Sequence, residues 1–165
     1  MATDYEKNTR ILDSIAQERV KNYLNNRVLK QMTFYSENSE KNRKMYYRFS
    51  VFSIAFNAVI PVVVLFSDFE LLSFAAKFIV AVLSSSAGVF TAVISLKNYR
   101  ELWVQYRVSL ELMKGVLDQY FLGVGEFAGI KDDEQQTVEK LESLCGAIMN
   151  NEHDMWKQLK AKNEE

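Results

Sequence analysis

The sequence predicts an all-α integral membrane protein: a helical hairpin of two transmembrane helices, with long cytoplasmic helices on either side forming an N- plus C-terminal bundle. Three observations predict it. Two windows, Phe49–Phe66 and Phe78–Leu96, hold no Asp, Glu, Lys or Arg over 18 and 19 residues, although the 165-residue chain carries 20 basic and 21 acidic side chains. Outside those windows apolar residues recur at steps of three and four, the spacing of one helical face. One proline and six glycines, with no alternating pattern, argue against an all-β or disordered chain.

Residues 1–48 are expected to form a cytoplasmic N-terminal helix and a pre-membrane segment. Between residues 3 and 35, Leu12, Ile15, Val20, Tyr23, Leu24, Val28, Met32 and Tyr35 follow mostly three- and four-residue steps. The polar stretch Ser36–Glu40 fits either a break or a solvated turn of one continuous helix. Residues 49–66 and 78–96 are the two transmembrane helices, with residues 67–77 as an outer loop. At about 1.5 Å per residue, such windows span roughly 27–29 Å, close to the ~30 Å hydrocarbon core of a bilayer. They are apolar all round, whereas a helix in a soluble bundle keeps a wet side. Tyr46, Tyr47 and Arg48 before the first window, and Tyr99, Arg100 and Trp103 after the second, have the aromatic and basic character of interface anchors.

Orientation follows from the charges. Lys41, Arg43, Lys44 and Arg48 precede the first window, Lys97, Arg100 and Arg107 follow the second, and the loop between holds only Lys77. The positive-inside rule places both termini in the cytoplasm of a multi-pass protein. A signal peptide is not expected, because the first window lies behind a long charged segment.

Residues 97–165 are expected to continue the second transmembrane helix as a coiled-coil-like rod and fold back as a helical hairpin. The first seam is Tyr99, Trp103, Tyr106, Leu110, Met113, Leu117 and Tyr120, ended by Gly123 and Gly125. Asp132 or Asp133 caps the last helix, whose seam is Val138, Leu141, Cys145, Ile148, Glu152, Met155 and Leu159.

Chemistry is scarce. One cysteine and one histidine leave no disulfide framework and no zinc cluster, so no metal site is expected. There is no phosphate-binding glycine loop and no nucleophile elbow, so neither an enzyme nor a cofactor is expected. A formal charge of −1 gives no reason to expect nucleic acid. The basic cluster Lys41–Arg48, beside a span, suits anionic lipid headgroups instead.

Several residues stand out nonetheless. Ser84, Gly88, Thr91 and Ser95 make a small, hydroxylated face on the second span, suited to helix packing or to a water-facing pore wall. Asn57 and Pro61 lie one turn apart on the first span, where the missing proline N–H should bend the helix and could form a hinge. Asp68 and Glu70 in the outer loop could ring the mouth of a symmetric oligomer and favour cations. Arg107 and Glu152 stand beside the seams of two cytoplasmic helices, where a mutual salt bridge or a subunit-interface pair would offset their burial. Trp103 and Trp156 read as packing anchors, Cys145 as an inert core thiol, and His153 as a lone side chain.

The order of parts resembles the SLATT family, the SMODS- and SLOG-associating two-transmembrane effector domains of bacteria, and above all its standalone members. Residues 20–160 carry the likeness. The motifs are Tyr35-x3-Ser39-x2-Asn42-x3-Tyr46, Pro61 in the first span, Tyr99-x2-Leu102-Trp103-x2-Tyr106-Arg107-x3-Glu111-Leu112, and Glu152-x3-Trp156. The resemblance implies a bacterial inner-membrane protein that oligomerises and opens or forms a pore, with some relatives acting in nucleotide-linked antiviral defence. No sensor domain is expected within these residues, so a cytoplasmic protein or nucleotide signal has no assigned site. The expected function is an oligomeric two-span protein that forms or gates an ion-conducting pore, passing monovalent cations, as a stress or defence effector. Because two helices cannot enclose a channel, such a pore requires a homo-oligomer around an axis, embedded in membrane lipid. The alternatives are a non-conducting membrane scaffold whose cytoplasmic helices recruit a partner, and a soluble bundle with an unusually apolar core.

Overall fold

The computed structural model describes residues 17–65 and 73–162, and among them there is no strand. A helical run from Glu18 to Leu65 comprises α1 (Glu18–Tyr23), a π-helical turn (Leu24–Val28) and α2 (Leu29–Leu65). Then come α3 (Ser73–Lys97), α4 (Tyr99–Leu122), a short 3-10 turn (Gly125–Phe127) and α5 (Glu134–Lys162). The chain divides into two compact units, one of residues 1–39 and 104–165, the other of residues 40–103. The hairpin unit thus extends past both uncharged windows.

The first unit is a three-helix bundle. Its core joins Val20, Leu24, Val28, Leu29, Met32 and Tyr35 to Leu110, Met113, Leu117 and Tyr120 of α4 and to Leu141 and Cys145 of α5, with Phe127 closing one end. The π-turn has a cause in the spacing. Val20, Leu24, Val28 and Met32 are all four apart, and on a 3.6-residue turn each such step carries the side chain roughly 40° round the helix. One wider turn, with i→i+5 bonding, returns the stripe to the core. Leu12 and Ile15, expected on the same stripe, lie outside the described residues.

Two local devices fix the ends of α4 and α5. Gly123, at φ 66°, terminates α4, with its N–H donating to the Tyr120 carbonyl and the Val124 N–H to that of Gln119. This is the paired bonding of a Schellman stop. Asp133 caps α5: its Oδ1 accepts from the Gln136 N–H at 3.0 Å and its Oδ2 from the Gln136 side chain at 2.7 Å. These bonds to the ionised form hold the Asp133 carboxyl below its usual value. Across the bundle, the Arg19 N–H of α1 donates to the Glu134 carboxylate at 2.7 Å, which ties the first turn of α1 to the first turn of α5.

The second unit is an antiparallel pair formed by α2 from Glu40 onward and α3. Ala76 and Ala87 are buried along α3, and Ser53 is buried opposite Ala87, with its hydroxyl 3.4 Å from that residue's carbonyl. Phe90 of α3 meets Phe49, Phe52 and Phe56 of α2, with ring centroids 5.6–5.9 Å apart. Phe49 also stacks on Tyr99 at 6.0 Å.

Of the two readings of Ser36–Glu40, the continuous helix is the one found, inside α2. Three expectations change. Residues 73–77, expected in the outer loop, are the first turn of α3. The rod expected to continue from the second window is interrupted at Asn98, which takes a left-handed φ of 47° between α3 and α4. Asparagine is among the few non-glycine residues that tolerate that region. The α5 seam ends early as well: Leu141 and Cys145 are buried, but Met155 is exposed, and the Leu159 side chain lies outside the description.

Candidate functional site

On α3 the apolar residues Phe74, Phe78, Val82, Val89 and Leu96 are exposed on one side, while Ala76, Ala87 and Phe90 face α2. Ser84, Gly88, Thr91 and Ser95 occupy the remaining arc. They line a shallow open groove of about 540 Å³ together with Ala87, Ala92 and, from α2, Asn57. The expected face and half of the expected hinge therefore come together in one feature.

The members of that face differ in what holds them. The Thr91 hydroxyl donates to the Ala87 carbonyl at 3.0 Å and lies 3.1 Å from the hydroxyl of Ser53, so Thr91 sits at the edge of the α2–α3 contact. Ser84 and Ser95 are exposed. Gly88 is open too: a Cβ there would meet nothing within 4 Å. Its smallness is not needed for packing within one chain, so the intrachain seam runs through Ala87 and Thr91 instead. Ser53, which bridges to both, was not among the residues singled out, and its signal was a hydroxyl four residues before Asn57.

Asn57 donates to the Ser53 carbonyl at 2.8 Å, a bond back to its own helix. Pro61 lies inside α2, where it cannot donate to the Asn57 carbonyl, yet the helix continues to Leu65. Asp68 and Glu70 lie outside the described residues. Among the interface anchors, Tyr46 and Tyr47 meet edge-on at 5.6 Å, Tyr99 holds Phe49, Trp103 is half-buried, and Arg48 and Arg100 are exposed.

The expected pairing of Arg107 with Glu152 is not formed. Arg107, 58% exposed, pairs with Glu111 at 2.9 Å one turn along its own helix, because it lies off the α4 seam rather than beside it. Glu152 instead meets α4 through its backbone, whose carbonyl accepts from Gln105 Nε2 at 2.7 Å. Burial raises the Glu152 carboxyl above its usual range, with His153 opposing. His153 stacks flat on Trp156, 6.5 Å away. Buried polar Gln105, Ser109 and Thr137 also escaped the sequence reading. Thr137 has a clear role, donating to the Ile130 carbonyl at 2.9 Å and tying the linker to α5. Among the described residues no three His, Cys, Asp or Glu side chains are grouped to hold a metal ion.

Two helices, within the runs Glu18–Leu65 and Phe74–Phe127, are long and apolar enough to cross a membrane, and only 6% of each apolar 18-residue window is buried. A family model described as a protein of unknown function, DUF4231, matches residues 30–135. No curated protein and no solved structure matches the chain.

Proposed function

The chain belongs to the DUF4231 family of proteins of unknown function, and from that premise we propose that it is a two-span protein of the bacterial inner membrane that assembles into an ion-conducting homo-oligomer. Both termini lie in the cytoplasm, and the protein is kin to the SLATT effectors. Membrane insertion is supported by how little of the apolar windows is covered. Val51, Ile54, Val62, Leu65, Phe74, Phe78 and Val89 are all at least half exposed. Leaving one such side chain in water forgoes about 1.5–3 kcal/mol. Lipid resolves that cost at every position at once.

The single observation that carries conduction is the groove. It is a polar, small-residue arc on a hairpin whose other free faces are apolar, and it is open at Gly88. Several copies arranged around an axis bring these arcs together as a wall of Ser84, Gly88, Ser95 and Asn57, suited to hydrated monovalent cations. The scaffold alternative has its own support in Val104, Val108 and Leu112, an exposed apolar stripe on α4 away from the bundle core.

The test is salt flux through vesicles reconstituted with the purified oligomer. Ser84→Leu and Ser95→Leu, which disturb no intrachain contact described above, should leave the oligomer intact and abolish flux. Thr91→Leu is less informative because it breaks the bond to Ser53. Wild-type oligomer that carries no flux at any voltage favours the scaffold. Leucine variants that dissociate instead make the arc a subunit seam, and release by alkaline carbonate without detergent removes the membrane assignment altogether.

A further inference from the structure

The core of the three-helix bundle changes character along its length. At one end it is apolar, from Val20, Leu24, Leu117, Tyr120, Phe127 and Leu141. At the other it is polar: Tyr35 of α2 is 0% exposed, Gln105 and Ser109 of α4 are 4% and 6% exposed, and Glu152 of α5 is partly buried. Each helix thus contributes a polar group to one layer.

The bonding in that layer is incomplete in a directional way. A backbone carbonyl can only accept, so the bond from Gln105 to the Glu152 carbonyl fixes which end of the amide is nitrogen. Gln105 Oε1 then points elsewhere, buried and without a hydrogen-bond partner. The Tyr35 hydroxyl is buried too and closes no hydrogen bond, although Gln31 lies beside it. A buried amide oxygen needs a donor. An ionised carboxylate offers only lone pairs, whereas a carboxylic acid offers one O–H.

We propose that this layer is a proton-binding latch, in which protonated Glu152 donates to Gln105 and ties the end of α5 to α4 and α2, and ionised Glu152 releases it. The proton comes from solvent at the exposed edge of Glu152 and returns there. The titratable groups that interact with the carboxyl through its charge are Tyr35 from α2, Tyr106 from α4 and His153 on α5 itself. Burial and then the Glu152 charge hold the Tyr106 hydroxyl up, and the same charge acts in the same direction on Tyr35, after its burial. Tyr35 and Tyr106 are stacked at 6.0 Å. Arg107 is turned to Glu111, and Asp154 to Lys157 at 3.2 Å, so neither enters the layer. The folded carboxyl is raised above its unfolded value, so the folded state holds the extra proton and the latch weakens as pH rises through that interval. The latch is independent of whether the hairpin conducts.

The experiment is amide exchange of the full chain in detergent from pH 4 to 8, corrected for intrinsic rate and read on residues 145–158. Wild-type protection there is expected to fall by about tenfold for each unit by which the carboxyl is raised, and then to level off. Glu152→Gln should stay protected throughout. His153→Gln should keep the wild-type transition, and Gln105→Met, which removes the acceptor, should move it to lower pH. A wild-type profile without a transition, or one unchanged by Glu152→Gln, overturns the latch. So does loss of the transition in His153→Gln, which would make the histidine the sensor, or a Gln105→Met transition left where it was.

Discussion

Ser53 and Thr91 meet at 3.1 Å within the two uncharged windows of α2 and α3, and both hydroxyls also bond toward the Ala87 carbonyl. In lipid no water competes for such groups, but each hydroxyl can fall back on its own helix. Measured couplings are therefore modest, about 0.6 kcal/mol on average and seldom above ~1.7 kcal/mol. A double-mutant cycle of Ser53→Ala with Thr91→Val on unfolding of the detergent-solubilised protein should give a coupling in that range. Zero coupling would mean that the helix pair is held by the Phe90 cluster alone. At the same scale, burial pushes the Cys145 thiol up to about 11. The thiolate is the reactive form, so Cys145 should resist iodoacetamide at pH 8 in the folded protein and react once it is unfolded, as intact mass would report. Rapid labelling of the native chain would mean that the bundle opens at α5 far more readily than a core position should.

At the level of the helices, Asn98 separates α3 from α4 with a single left-handed residue. Glycine reaches that conformation freely, whereas a β-branched residue costs of order 1–3 kcal/mol there. Asn98→Gly should therefore unfold near wild type and Asn98→Val clearly earlier; equal midpoints would mean the helices can run on through this position. The sequence hides the break because the seam Tyr99, Trp103, Tyr106, Leu110 keeps its steps of four and three from the first residue beyond it. Periodicity reports which face is apolar and says little about whether the backbone is continuous. For that reason Leu110, Met113, Leu117, Tyr120, Leu141 and Cys145 were legible as core, and so was the glycine stop of α4. The buried polar residues of the bundle were not. Gln105, Ser109 and Thr137 are buried by their position between helices, and a count of apolar residues passes over them. Arg107 shows the opposite error: adjacency to the seam suggested a cross-helix pair, but one turn of its own helix already offered Glu111. The groove was half legible, since the Ser84–Ser95 face is a sequence pattern while its closure by Asn57 depends on how α2 and α3 pack.

For the whole molecule the deciding property is the asymmetry of charge around the hairpin. Four basic residues stand at positions 41–48 and three more at 97–107, against Lys77 alone between the windows. Moving lysine and arginine across a bilayer is opposed during insertion, so the side richer in them stays in the cytoplasm. Lys77 lies in the first turns of α3 and is exposed there, while Glu101 is exposed in the first turn of α4. They are suitable reporters for the two sides, because neither belongs to a core and neither has an ion pair among the described residues. In a Cys145→Ser background, Lys77→Cys should react with a membrane-impermeant maleimide added to intact spheroplasts. Glu101→Cys should react only after the membrane is permeabilised. Removing the basic excess tests the cause as well as the arrangement: replacing Lys41, Arg43, Lys44 and Arg48 together by glutamine should shift part of the population to the opposite labelling pattern. Labelling of Glu101→Cys from outside with none at Lys77→Cys would reverse the orientation, and labelling of both from outside would mean that the apolar helices do not cross at all.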